Sequence, residues 1–167
     1  MRYLLSLLLV LPLGAFAQLQ KFGFEGFRNH DCINFVISQF AKGNDSVVCT
    51  LPTKIMKPGT KTIYIMKTDY LKNVPEHVGN YDIRVVDVEQ DAKMLYHQQQ
   101  DSNAVILYLS DGLAKLSYWT VWVMPMNVTR KTFNKYKTVF DNSGGFKSVF
   151  FFNDATAKFT FDRTECF

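Results

Sequence analysis

With 167 residues, 47% of them hydrophobic, the chain fits one domain that can bury an ordinary core without metals or dense disulfides. Its 19 Lys and Arg residues against 15 Asp and Glu are spread along the sequence, which favours a mildly basic solvated surface over a face that binds nucleic acid or another polyanion. After the N-terminus, no apolar run reaches the roughly 18 to 20 residues of a membrane-spanning helix, so the sequence predicts no membrane span.

The first predicted element is a signal peptide over residues 1–17. Arg2 precedes a short apolar run, which ends in Ala15-Phe16-Ala17, a small-x-small pattern that signal peptidase accepts. The mature chain is therefore predicted to begin at Gln18 and to form a single domain over residues 18–167. Such a leader predicts a secreted, extracellular protein in an oxidising compartment.

Three cysteines, Cys32, Cys49 and Cys166, allow three single pairings, and a secreted chain is expected to use at least one of them. Cys32 and Cys49 bracket 16 residues that resemble two short strands around a turn at 43–45, so this pair is the predicted disulfide. Cys166 is then left over. It is predicted to be buried, to link two copies in a disulfide-bonded dimer, or to displace one partner of the favoured pair.

Two triplets match the acceptor pattern for N-glycosylation, Asn44-Asp45-Ser46 and Asn127-Val128-Thr129. Each lies beside turn-forming residues, as a surface glycan requires. Such triplets also arise by chance in a chain of this length. The sequence predicts that at least one of Asn44 and Asn127 carries a glycan in a eukaryotic source.

Apolar residues recur with a period of two along the mature chain, which is typical of strands. A short turn or helix is predicted over 88–99, where Val88, Ala92 and Leu95 share a face. Turn-forming residues separate the strands at roughly 8 to 15 residues, which predicts an all-β fold, an antiparallel sandwich or a barrel. The predicted strands are 33–37, 62–66, 83–88, 105–109, 118–123, 135–140, 148–152 and 157–161.

A run of three aromatic residues, Phe150-Phe151-Phe152, lies in one of these strands. Successive side chains of a strand point to opposite faces of the sheet, so at least one of the three meets solvent or a partner. The run therefore predicts an interaction surface.

Candidate catalytic residues are few. Asp82, Asp87, Glu89 and Asp91 crowd one strand and its exit, where they form either a solvated edge, an acid-base pair or an oxygen-ligand cation site. The histidines are isolated, and the sequence has no Gly-x-Ser-x-Gly, His-Glu-x-x-His or phosphate-binding glycine loop. The sequence therefore predicts a protein that is not an enzyme, with a secreted hydrolase that uses these carboxylates as an alternative.

Four groups of residues carry a resemblance to a known family. They are Phe35-Val36-Ile37-Ser38; Cys49-Thr50-Leu51 ahead of Met56-Lys57-Pro58-Gly59; Tyr81-Asp82 opening a strand that ends at Asp87; and Tyr108-Leu109-Ser110-Asp111 followed by Tyr118-Trp119 and Trp122. In this order they resemble the CUB domain, an extracellular β-sandwich module, and most closely the divergent CUB-like domains of secreted nematode proteins. The resemblance covers residues 32–124 and implies a jelly-roll sandwich, with residues 125–167 as an extension of added strands or as part of a second, incomplete sandwich.

The resemblance also implies a ligand and a role. Some CUB domains hold a calcium ion between carboxylates and use it to bind a lysine of a partner, and Asp82 and Asp111 match two of these positions. Calcium is the single cofactor so implied, and the alternative role of Asp111 is to accept backbone amide bonds in a β-turn. The nematode group implies an association with defence, that is, with innate immunity.

These observations predict a secreted binding module that recognises an extracellular protein or glycan. The alternative is a secreted carrier of lipid or another small ligand, built as a closed β-barrel.

Overall fold

The computed structural model describes residues 30–69, 71–115, 117–133, 135–155 and 158–167. The predicted signal peptide lies outside the described residues. The described helices are α1 His30–Lys42, α2 Asp45–Val48, α3 Leu51–Ile55 and α4 Ala92–Gln100. The strands are β1 Thr62–Met66, β2 His77–Val78, β3 Tyr81–Val86, β4 Ala104–Lys115, β5 Tyr118–Thr132, β6 Lys135–Phe140, β7 Phe146–Asn153 and β8 Lys158–Cys166.

All eight strands belong to one mixed sheet. Its order is β2-β3-β1-β4-β5-β7-β8, and β6 also pairs with β5. β1 runs parallel to both β3 and β4, and the other pairs are antiparallel. The predicted β-rich fold is confirmed. The order ends at two edge strands, β2 and β8, so the sheet is not the closed barrel of the alternative prediction.

The prediction of a purely antiparallel sandwich is wrong at the centre of the sheet. The chain leaves β3, passes through α4 and enters β4, and both strands pair with β1 in the parallel sense. A crossover through a helix is the usual way to join parallel strands, whereas a tight turn joins antiparallel ones. Of the two alternatives predicted for 88–99, a short turn or a helix, the structure has the helix, which is α4 and begins at Ala92. This helix makes the crossover.

The predicted strand at 33–37 is wrong, because these residues lie in α1. Ile33, Val36, Ile37 and Phe40 are all buried, at the spacing of one helical face. The run is rich in β-branched and aromatic residues, so its composition favours a strand while its longer period favours a helix. Phe35-Val36-Ile37-Ser38, which the CUB resemblance places in an opening strand, is therefore helical, and membership of that family stays a prediction.

Helices cover the sheet on both faces, and each face has its own core. On one face α1, α2 and α3 pack against residues such as Ile63, Leu107 and Val121, which are almost completely buried. On the other face α4 inserts Leu95 among a smaller set of buried side chains, Tyr64, Val86, Val88, Ala104, Ile106, Met126 and Val128. Within the described part of the chain, no helix is both long and apolar enough to cross a membrane.

β6 and β7 lie one after the other along the same side of β5. Met126 pairs with Phe140 and Val123 pairs with Phe146, so residues 141–145 face only two residues of β5. This wide bulge lies at Pro125, whose carbonyl accepts the amide of Asp141 at 2.9 Å. Because proline has no N–H to donate toward β6, the regular ladder is interrupted at this point.

The disulfide joins Cys49 to Cys166, with a Cα–Cα distance of 6.2 Å, and Cys32 is a buried free thiol. The predicted Cys32–Cys49 bond is therefore wrong, and so is the disulfide-linked dimer through Cys166. The prediction depended on a strand at 33–37. Because residues 33–37 are helical, Cys32 lies on the face of α1 that packs into the core. Cys166 takes the place of Cys32 as the partner of Cys49.

Candidate functional site

The two aspartates of the predicted calcium site lie far apart. Asp82 aligns with Thr62 on β1, which in turn aligns with Ala104 on β4, whereas Asp111 lies seven residues further along β4. At about 3.3 Å per residue this separates them by roughly 23 Å along the sheet. Since calcium binds oxygen atoms at about 2.3 to 2.6 Å, one ion cannot contact both, and the predicted site at Asp82 and Asp111 is wrong.

Neither aspartate belongs to a larger set of metal ligands among the residues that the structure describes. The Asp82 carboxylate lies at the exposed edge formed by β2 and β3. Its oxygens are 2.8 Å from the Nδ1 atom of His77 and 3.8 Å from a guanidinium nitrogen of Arg84. Across the described ranges, no three His, Cys, Asp or Glu side chains come together in a way that could hold a metal ion.

The Cys32 thiol is not a nucleophile in this structure. Burial, followed by the negative charges of Asp31 and Asp111, raises its pKa to about 12. The thiol is therefore protonated at neutral pH, and a thiol is a weak nucleophile without its thiolate form.

One of the carboxylates after β3, that of Asp87, stabilises a turn. The Oδ1 atom of Asp87 accepts the backbone amides of Glu89 at 3.1 Å and Gln90 at 3.2 Å. Asp91 directly precedes α4, whose first turn begins at Ala92. Asp87 thus serves the connection from β3 to α4, a local role that Asp commonly has in turns.

The two predicted glycan acceptors differ in their surroundings. Asn44 is exposed at the start of α2, where its Oδ1 atom accepts the hydroxyl of Ser46 at 2.7 Å. Asn127 is half-buried: its side-chain nitrogen donates to Asp141, and its Oδ1 atom accepts from Gln99 at 3.2 Å. Asn44 is therefore available at the surface, whereas Asn127 is part of an internal network.

A group of large side chains lies on the part of the sheet that is distant from α4. Tyr118 and Trp122 share one face of β5, and their partners on β7 are Phe151 and Lys147. Arg163 of β8 lies beside them, opposite Val149. We use the name aromatic face for five of these residues, Tyr118, Trp122, Lys147, Phe151 and Arg163.

The aromatic face is partly open to solvent. Trp122 is 38% exposed and Phe151 is 42% exposed, whereas Phe150, which points to the other face of the sheet, is 3% exposed. The prediction that Phe150-Phe151-Phe152 places an aromatic side chain at the surface is confirmed. α4 packs on β4, β5 and β6, and so covers the opposite end of this side of the sheet.

Cross-strand contacts order the aromatic face. The Lys147 ammonium lies 5.0 Å from the centre of the Trp122 ring, and the Arg163 guanidinium lies 6.0 Å from that of Tyr118. Such cation–π pairs contribute about 0.5 to 1 kcal/mol at exposed sites. Tyr118 also packs on Phe151 at 5.4 Å between ring centres.

Phe167 completes one side of this surface. Phe167 packs on Trp122 at 5.5 Å, and its backbone amide and carbonyl pair with Gly145 at 3.1 and 2.8 Å. A Cβ atom at Gly145 would lie 2.7 Å from the carbonyl oxygen of Val123, so only glycine fits where the bulge meets Phe167.

Comparisons with protein-family models, with curated proteins and with solved structures give no match. The function is therefore inferred from the chemistry of the residues themselves.

Charges on and around the aromatic face are balanced. Lys147 forms an ion pair with Glu165 at 2.5 Å, and this hydrogen bond is the main cause of the lowered pKa of Glu165. Arg163 contacts both Asp162 and Glu165. Aromatic residues and Arg with neutralised charge form the composition that is enriched at the centres of protein interfaces.

Sequence reasoning identified Phe151 but missed the other members of the aromatic face. Tyr118 and Trp122 are four residues apart on β5, as are Lys147 and Phe151 on β7, so the period of two within each strand indicates a shared face. These four residues come together only because β5 pairs with β7, and neither strand's own sequence predicts that pairing.

Proposed function

We propose that this protein is a secreted binding module, not an enzyme, and that it recognises an extracellular protein through the aromatic face. The observation that carries the proposal is the exposure of Trp122 and Phe151 beside Lys147 and Arg163 on neighbouring strands of the sheet. The leader-like residues 1–17 and the Cys49–Cys166 disulfide are compatible with secretion. We also propose the role in defence that the CUB resemblance implies.

Ring contacts favour a protein over a glycan as the partner. Sugars stack on aromatic rings whose faces are free. Here Lys147 lies over the Trp122 ring and Arg163 lies over that of Tyr118. Such Arg, Tyr and Trp groups, held in place before binding, are typical energetic centres of protein interfaces because they lose little conformational entropy on association.

The proposal is tested with multimers of the mature protein, added to extracellular proteins and cell surfaces of the source organism. We expect saturable binding that falls at least tenfold in Trp122→Ala and Phe151→Ala, since hot-spot truncations cost about 2 kcal/mol or more. Phe133→Ala is the matched control, because Phe133 is 81% exposed and lies at the β5–β6 turn.

Two results would argue against the proposal. Binding that both face variants retain, while their circular dichroism spectra match the parent, would exclude the aromatic face. Binding that survives protease treatment of the cells but not glycosidase treatment would assign the face to a glycan.

A further inference from the structure

A polar recess lies at the end of the sheet where β1 and β4 begin. Its volume is about 310 Å³, at the lower end of the range for small-molecule sites. Its walls come from α3, the loop before β1, the end of α4, the middle of β5 and the bulge at 141–145. None of the five residues of the aromatic face contributes to it.

Hydrogen bonds fix the floor of the recess. The Gln99 side chain donates to the carbonyl of Met126 at 2.9 Å and accepts the amide of Val128 at 2.8 Å. Asp141 accepts the amide of Ser143 at 2.7 Å, as well as hydrogen bonds from the Ser143 hydroxyl and the Asn127 amide. These polar groups are held in place before any ligand enters.

The floor contains one negative charge. Burial alone would raise the pKa of Asp141, but the hydrogen bonds from Ser143 and Asn127 outweigh it and lower the pKa. The carboxylate is thus ionised at neutral pH, and three neutral donors stabilise its negative charge.

The opposite wall carries two ammonium groups. Lys54 and Lys57 are both exposed, and within the described residues neither forms an ion pair. Lys57 makes one long contact, 3.4 Å from the hydroxyl of Ser102. Thr60 and Ser102 add hydroxyl groups beside the two lysines.

We propose that this recess binds a small polar anion of about the size of a monosaccharide. Its acidic group, a carboxylate or a phosphate, pairs with Lys54 and Lys57. Its hydroxyl groups bind Ser102 and the polar floor at Ser143. The volume admits a ligand of this size, and two ammonium groups that form no ion pair within the described residues favour an anion, because charge-assisted hydrogen bonds are the stronger ones.

The test uses the mature protein and amide NMR titrations with three probes, D-glucuronate, glucose 6-phosphate and neutral D-glucose. We expect saturable shifts of the Gln99 and Asn127 side-chain amides and of the Ser102 and Ser143 backbone amides with at least one acidic probe. Glucose is expected to bind about tenfold more weakly or not at all, because it lacks the charged group. The carboxylate and phosphate arms distinguish the two sources of negative charge.

A charge-matched pair of double variants identifies the residues responsible. Lys54→Gln with Lys57→Gln is expected to weaken binding of the acidic probe at least tenfold. Lys93→Gln with Lys131→Gln removes the same charge from exposed positions outside the recess and is expected to leave binding unchanged.

Three results would overturn the proposal. One is the absence of saturable shifts with either acidic probe up to about 20 mM, well above the range of weak specific sites. Another is equal affinity for glucose and the acidic probes. The third is an equal loss in both double variants, which would show that net charge alone attracts the probe.

Discussion

Cys49 is bonded to Cys166 across a separation of 117 residues. The bond attaches the last residue of β8 to the short connection between α2 and α3. Nearby, the Thr164 hydroxyl donates to the carbonyl of Val47 at 2.5 Å. One covalent loop thus encloses most of the described fold and holds the edge strand against the helical layer.

Replacing both Cys49 and Cys166 by alanine is expected to lower the free energy of unfolding by about 3 to 5 kcal/mol, because the unfolded chain then loses the constraint of a long loop. Urea denaturation followed by tryptophan fluorescence measures the change. Cys32→Ala, which keeps the disulfide and removes one buried sulfur, is the control and is expected to cost less. A non-reduced peptide map in which Cys32 is disulfide-bonded would contradict this pairing.

The two glycan acceptors give a second prediction. When the full chain is expressed in a eukaryotic secretion system, we expect glycan at Asn44 and none at Asn127. The side-chain nitrogen to which a glycan would be attached donates a hydrogen bond at both sites, to Gln39 from Asn44 and to Asp141 from Asn127. The two sites differ in burial, because Asn44 is exposed whereas Asn127 is half-buried. Intact mass before and after glycosidase treatment measures glycan occupancy. Asn44→Gln is expected to abolish the occupancy, and Asn127→Gln is expected to leave it unchanged. Glycan on Asn127 in folded protein would refute the prediction.

Local pattern predicts most of the strands. Two predicted segments, 62–66 and 135–140, coincide with β1 and β6, and the short turn or helix predicted at 88–99 overlaps α4. Period, turn residues and β-branched content are all encoded within these short windows. At 33–37 the same reasoning fails, since composition and period disagree there and Phe40 completes the helical face.

Long-range relationships could not be predicted in this way. The parallel pairing of β1 with β3 depends on the connection that contains β2, and its pairing with β4 depends on the crossover through α4. The Cys49–Cys166 bond depends on where β8 ends in the sheet. The aromatic face likewise needs the register that places Trp122 opposite Lys147. In each case two distant segments meet, and the sequence of neither segment predicts its partner.

Gln99 provides a prediction about how α4 is attached to the sheet. Gln99→Ala removes the side-chain partners of the Met126 carbonyl, the Asn127 side chain and the Val128 amide. We expect the free energy of unfolding to fall by about 1 to 3 kcal/mol, the usual cost of leaving buried polar groups without partners. Chemical denaturation measures it, with Gln100→Ala at the neighbouring exposed position as control. Equal stability of the two variants would mean that water replaces Gln99 at no cost.

Asp141 gives the protein a stabilising contribution that depends on pH. Its pKa is lowered in the folded state because the hydrogen bonds from Ser143 and Asn127 outweigh the effect of burial. At acid pH the unfolded state therefore binds the proton more readily than the folded state. The contribution is fully present above the unfolded pKa of about 4 and is lost as the pH falls through the lower folded value.

Asp141→Asn is expected to lower the free energy of unfolding at neutral pH. As the pH falls, the stability of this variant should decrease less than that of the parent. Denaturation midpoints of the parent and the variant, measured from neutral pH down to about pH 2, should therefore converge toward the acid end of the series. Asp154→Asn, at an exposed position, is the matched control and should parallel the parent throughout. A constant difference between the parent and Asp141→Asn at every pH would show that the hydrogen bonds of Asp141 do not favour its ionised form.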